Sequence, residues 1–183
     1  MAESMVAQSA IIGEGVLFGN NVVIRENVQI GRGCIIGNNV VVHPDSIIGS
    51  NVRIDDNTVI GKLPMKAANS ATTKDVALPR CTLGDDCIVG TSVVVYRGCS
   101  VGNKVLIADL STVRENVQIG TGTIIGRGVA IENFCNIGEY CKLETNVYLT
   151  AYSTVEDRCF IAPCVATSND NFVGRTKERF KHF

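Results

Sequence analysis

An aliphatic residue returns every six positions along most of this chain. One run is Ile12, Phe18, Ile24, Ile30, Ile36, Val42, Ile48, Ile54 and Ile60. A second starts at Leu83 and continues by sixes through Val89, Val95, Val101, Ile107, Val113, Ile119, Ile125, Ile131, Ile137, Leu143, Leu149 and Val155 to Ile161. Only Phe18 among these 23 positions is not aliphatic. A helix repeats near 3.6 residues and a strand at two, so neither alone gives a strict period of six. A short strand followed by a tight turn, repeated three times per coil, does give it. The aliphatic side chain then points inward and stacks on its counterpart in the next coil, about 4.8 Å away. The expected class is all-β, a parallel β-helix forming a single domain over 1–183.

Two further columns fit that coil. Glycine follows the aliphatic residue in twelve of the 23 hexads, as at Gly13, Gly31, Gly49, Gly102 and Gly138, where the backbone must bend into the turn. The position four after the aliphatic is small: Val, Ser, Thr or Cys. Cys34, Cys81, Cys87, Cys99, Cys135, Cys141 and Cys159 all fall there, which reads them as reduced, buried wall residues. Cys164 is out of phase.

Charge is balanced, 17 basic against 18 acidic residues, with no concentrated positive surface of the kind that nucleic acid or an anionic membrane requires. Mean hydropathy is high at +0.20, yet no apolar run is long enough to span a bilayer. The opening Met-Ala-Glu-Ser-Met has no signal-peptide pattern, so a cytoplasmic, self-associating chain is expected.

The register breaks once. Ile60 to Leu83 is 23 residues, one short of four hexads, and the polar stretch between them reads as one loop extruded from a turn, about 62–79. Ile24-Arg-Glu-Asn-Val-Gln-Ile-Gly31 recurs as Val113-Arg-Glu-Asn-Val-Gln-Ile-Gly120, which places residues 24, 42, 60, 95, 113, 131 and 149 on one face. Arg25, His43, Tyr96, Arg114, Glu132 and Thr150 follow those positions, and Arg114 and Glu132 are one coil apart, close enough to pair. A second face carries Ile88, Leu106, Ile124 and Phe160, an apolar stripe expected to form a subunit contact. Regular repeats stop near Val165, and 166–183 is expected to be a terminal loop or cap, with further coils following in a longer form of the chain.

The pattern aliphatic-Gly-x-x-small-x over about residues 6–165 resembles the bacterial hexapeptide-repeat acyltransferase superfamily. That resemblance implies a single-stranded, left-handed β-helix and a homotrimer. Asn69-Ser70 in the loop and Ala162-Pro-Cys-Val-Ala-Thr-Ser-Asn-Asp-Asn171 most resemble the sugar N-acetyltransferases of that superfamily. They imply acetyl-CoA as donor, no metal, and an amine or hydroxyl acceptor, in particular an amino-sugar on a nucleotide carrier, bound in a groove between subunits.

An amine must be neutral to attack a thioester, and the oxyanion needs hydrogen-bond donors. His43, the only histidine in the repeats, faces outward one coil from the loop and is the candidate base; a surface histidine at a subunit seam is the bland alternative. Asn69 is the candidate amide for acceptor or oxyanion. Ser70, Asn169, Asp170, Asn171 and Arg175 are candidate substrate contacts. Two other readings stay open. A γ-class carbonic anhydrase shares this fold but needs three histidine ligands, and the chain has only His43 and His182. A non-catalytic scaffold or fragment needs no site.

Overall fold

The computed structural model describes residues 4–65, 68 and 77–169. Among these the chain forms 24 strands, nearly all of two residues, and no helix. They sort into three parallel sheets of eight strands. The first runs from Met5–Val6 through Val23–Ile24, Val41–Val42, Val59–Lys62, Val94–Tyr96, Thr112–Val113 and Ala130–Ile131 to Tyr148–Leu149. The second runs from Ile11–Ile12 to Thr154–Val155, and the third from Leu17–Phe18 to Phe160–Ile161. The solenoid is a left-handed parallel β-helix, and the internal alignment of the two Arg-Glu-Asn copies placed the first face correctly.

Each hexad has a strand whose second residue is the inward aliphatic and whose first residue points out. The aliphatic column and the small column two residues before it fuse into one core. The small column does more than fill space. Thr58 Oγ1 donates to the Gly90 carbonyl at 2.7 Å, and Ser111 and Thr123 reach Gly126 and Gly138 at 2.8 Å. Cysteines make the same bond: Cys34 Sγ to Gly49 O at 3.1 Å, Cys99 Sγ to Arg114 O at 2.9 Å and Cys141 Sγ to Glu156 O at 3.0 Å. Ser, Thr and Cys interchange because each carries one short donor that satisfies a carbonyl of the next coil.

The turns explain the remaining columns. The third residue after the aliphatic is left-handed, with φ of 56° at Asn21 and Asn39 and 59° at Asn57. Asparagine tolerates that region, and here the amides also form a ladder, Asn21 to Asn39 and Asn39 to Asn57, each at 3.0 Å. Cys164 has φ 60° and occupies this turn position, which accounts for its phase. The glycine after the aliphatic has a different cause from bending alone. A Cβ on Gly13 would sit 2.6 Å from the Gly31 carbonyl carbon in the next coil, so stacked corners leave no room for a side chain.

The third sheet presents Leu17, Ile35, Ile88, Leu106, Ile124 and Phe160 outward, broken by Arg53 and Lys142. The outward residues of the first sheet are Met5, Val23, Val41, Val59, Val94, Thr112, Ala130 and Tyr148, one place before the inward aliphatic. Arg25, His43, Tyr96 and Arg114 therefore belong to the corner beyond that sheet rather than to its flat surface.

Removing one inward aliphatic from mid-solenoid, Ile107→Ala, is expected to cost about 2–5 kcal/mol in denaturant unfolding; a loss near zero would contradict a close-packed column. Thiol accessibility gives a second check. Burial pushes the Cys99 thiol up to about 12 and Cys135 up to about 11. Cys164 is exposed and Cys159, contrary to expectation, is only half-buried near the end of the described coils. Cys164 should therefore react fastest with a disulfide reagent at pH 8, and Cys164→Ser should remove that phase. Fast reaction of the six buried thiols in the native chain would refute the packing described.

Candidate functional site

His43, Lys62, Tyr96, Arg97 and Arg114 stand where the first sheet turns into the second. This corner also gives rise to the extruded loop, and the local backbone shows how. Ile60 pairs with Val95 and Lys62 pairs with Tyr96, leaving Gly61 as an extra residue. Gly61 has φ +77°, and among the glycines after an inward aliphatic it is the one with positive φ. The bulge turns the chain out of the coil and carries Lys62 with it.

His43 lies one coil before this bulge. Its N–H donates to the Ile60 carbonyl at 2.8 Å, and its own carbonyl accepts from Ser46 Oγ at 2.8 Å. The imidazole is half-buried. Burial, then the charges of Arg25 and Lys62, lower its pKa below the ordinary histidine value, so the ring is neutral at pH 7.

Tyr96 stands one coil beyond the bulge and is only 8 % exposed. Lys62 Nζ lies 4.7 Å from the centre of its ring, and the Arg114 guanidinium from the following coil lies 5.2 Å from it. The ring thus carries a cation on each side along the stack. Arg114 is oriented by the buried Glu115, with contacts of 2.8 and 3.0 Å, and reaches Glu132 at 3.3 Å, the pairing expected from the one-coil spacing.

Arg97 closes the root of the loop. Its Nε donates to the Leu78 carbonyl at 3.1 Å, Nη1 to the Pro44 carbonyl at 2.8 Å, and Nη2 pairs with Asp45 at 2.9 Å. Arg97, then Asn27, hold the Asp45 carboxyl below its usual range. One guanidinium therefore ties the loop's return to the turn that carries His43.

Sequence reasoning found His43 and the Arg114–Glu132 pair but gave Lys62, Tyr96 and Arg97 no role. A signal existed: the corner reads Arg-Glu-Asn in the flanking copies and Tyr96-Arg97-Gly98 beside the loop. Asn69, Ser70, Asp170, Asn171 and Arg175 lie outside the described residues. Asn169 is described, and its Nδ2 donates to the Ala151 carbonyl at 2.8 Å, continuing the coil pattern. It stands six coils from His43, roughly 29 Å at about 4.8 Å per coil, so one subunit does not bring the two together. Among the described residues, no three His, Cys, Asp or Glu side chains converge as a metal site requires, and no helix is long and apolar enough to cross a membrane.

The electrostatic reading of His43 can be measured directly. Its imidazole should titrate below about 6.5 by NMR, and Lys62→Gln or Arg25→Gln should each move it upward. Unchanged titration in both variants would show that these cations do not act on the ring. Because folding lowers this pKa, the unfolded chain binds the extra proton. His43 therefore subtracts from stability as pH falls through the unfolded value, and adds no pH dependence above it.

Comparison with known proteins bears on the repeat and the fold. Residues 9–44 and 28–62 match the family described as bacterial transferase hexapeptide (six repeats). No curated protein sequence matches the chain. Among solved structures, a UDP-N-acetylglucosamine acyltransferase from Francisella novicida superposes with a TM-score of 0.64 at 23 % identity, over 91 % of this chain and 63 % of that one. The acyltransferase of the same description from Campylobacter jejuni gives 0.62 at 18 %, over 87 % and 67 %. The one from Bacteroides fragilis gives 0.53 at 22 %, over 90 % and 69 %. The chain thus spans less than two thirds of the Francisella protein, and at these identities the likeness is one of fold. Residues 9–62 carry the hexapeptide repeat of that family, and the described chain has the fold of a left-handed parallel β-helix.

Proposed function

We propose that this protein is an acyltransferase that moves an acetyl group from acetyl-CoA to an amine or hydroxyl of an amino-sugar on a nucleotide carrier. The observation that carries this reading is His43: a half-buried imidazole kept neutral beside Arg25 and Lys62, at the corner from which the loop emerges. The solved UDP-N-acetylglucosamine acyltransferases of the same fold support the class of reaction and of acceptor.

In this mechanism His43 takes the proton from the acceptor nitrogen or oxygen as that atom attacks the thioester carbonyl. The tetrahedral intermediate places its negative charge on the former carbonyl oxygen, where the Asn69 amide donates a hydrogen bond. Collapse breaks the C–S bond, and the departing CoA sulfur receives the proton from the imidazolium. Burial, with Arg25 and Lys62, lowers the pKa of His43 in the resting site, and the two cations favour anionic groups of the acceptor. Ser70, on the loop, contacts the acceptor; Asn169, Asp170, Asn171 and Arg175 contact substrate away from the reacting bond. The apolar row of the third sheet forms the subunit contact of a cytoplasmic homotrimer, with the substrates held between subunits.

Calorimetric titration with acetyl-CoA, with CoA as control, should give saturable binding at about one site per subunit. His43→Ala should then lower kcat by about 10²–10⁴ with little change in acetyl-CoA affinity. A well-folded oligomer that binds neither ligand would overturn the transferase reading. Full activity in His43→Ala would remove His43 as the base.

A further inference from the structure

On the far side of the loop's root, facing the second sheet, lies an open recess of about 370 Å³ that the mechanism above does not use. Its wall is formed where the returning loop delivers Arg80 beside the second sheet. Thr82, Ser100 and Gln118 stand in consecutive coils along its base, with Asn116 at the corner. Gly98 forms part of the floor. It has φ +86°, and a Cβ there would come 2.6 Å from Asn116 Oδ1, so the recess depends on the missing side chain.

The chemistry of this lining differs from the rest of the solenoid. Outward positions on the first sheet are mostly apolar, and those on the third are largely leucine or isoleucine. From the coil at which the loop returns, the second sheet instead presents Thr82, Ser100, Gln118, Asn136 and Thr154. These are uncharged donors and acceptors at the coil spacing of about 4.8 Å. Thr82 Oγ1 and Ser100 Oγ lie 3.3 Å apart and share one bond. Among the described residues, the side-chain amides of Asn116 and Gln118 and the Arg80 guanidinium make no hydrogen bond; Asp45, the nearby acid, is bonded to Arg97 and Asn27 and feels the Arg80 charge only at longer range. No carboxylate lines the recess.

Adjacent hydroxyls and amides that both donate and accept match a ring of vicinal hydroxyls, and a guanidinium at the rim with its donors unbonded matches a phosphate oxygen pair. The volume is at the small end for ligand pockets and holds one ring with a substituent. We propose that this recess is a binding subsite for a phosphorylated sugar, with the hydroxyls against Thr82, Ser100, Asn116 and Gln118 and the phosphate at Arg80. For its biological role the subsite rests on the transfer reading, as the place where the acceptor's carrier portion is held; its existence does not.

The test uses the full chain, with glucose 1-phosphate as probe and glucose and inorganic phosphate as controls, followed by saturation-transfer NMR without any acyl donor. Glucose 1-phosphate should bind saturably and more tightly than either control. Ser100→Tyr, at an exposed strand position, fills the recess and should weaken it at least about tenfold, and Arg80→Gln should weaken the sugar phosphate about tenfold while leaving glucose unchanged. Absence of saturable binding, equal binding by inorganic phosphate, or unaltered affinity in both variants would overturn the subsite. Acetyl-CoA is absent throughout, so failure here leaves the transfer reading standing, and failure to bind acetyl-CoA leaves the subsite standing.

Discussion

Everything in this fold follows from the closeness with which one coil rests on the next. Backbone N–H groups donate across the coil boundary at 2.7–3.1 Å along nearly the whole described chain, and at the glycine corners the backbones touch with no space for a Cβ. A given position therefore meets its own kind one coil away. That constraint converts single-residue preferences into rows. Asparagines at the left-handed turn become an amide ladder, and thiols and hydroxyls of the inner wall become a file of donors aimed at the next coil's carbonyls. The solenoid is held by these repeats rather than by long-range tertiary packing.

Against such regularity, a site has to be made by breaking a row. The break is the Gly61 bulge, which adds one residue, ejects the loop and swings Lys62 over Tyr96. His43 on one side and Tyr96 and Arg114 on the other are ordinary corner residues by position. They differ from other corners because the chain leaves the coil between them. At this corner the bulge brings Lys62 to Tyr96 and Arg114, and Arg97 fixes the loop's return against the turn of His43 through three separate acceptors.

Most of the fold was legible because a period of six over 23 positions admits few architectures. The repeat of Arg-Glu-Asn-Val-Gln-Ile-Gly even aligned the faces, since identical heptapeptides occupy equivalent places in the coil. Less of the site was legible. His43 was visible as a rare residue type at a known phase. Lys62 and Arg97 were not, because their roles arise from the bulge and from a bond that spans 19 residues to Leu78, and neither leaves a periodic trace. In a two-residue strand the residue after the inward aliphatic already belongs to the turn, so Arg25, His43 and Arg114 stand at a corner rather than on the flat face. Cys164 looked anomalous only while the left-handed turn position was unknown.

The loop gives the molecule a seam. Neighbouring coils elsewhere pair residues 18 apart, whereas those flanking the loop pair residues 35 apart, as Asn51 does with Asp86. Closing a chain segment about twice as long costs about 0.6 kcal/mol more in lost entropy. A solenoid that orders by zipping from coil to coil therefore meets its steepest single step at the place where the candidate base and the loop come together. The Arg97 contacts, which bridge 52 and 53 residues to Asp45 and Pro44, form only once that step is complete. Order at the corner thus requires both halves of the helix to be in place, and their separation would remove it.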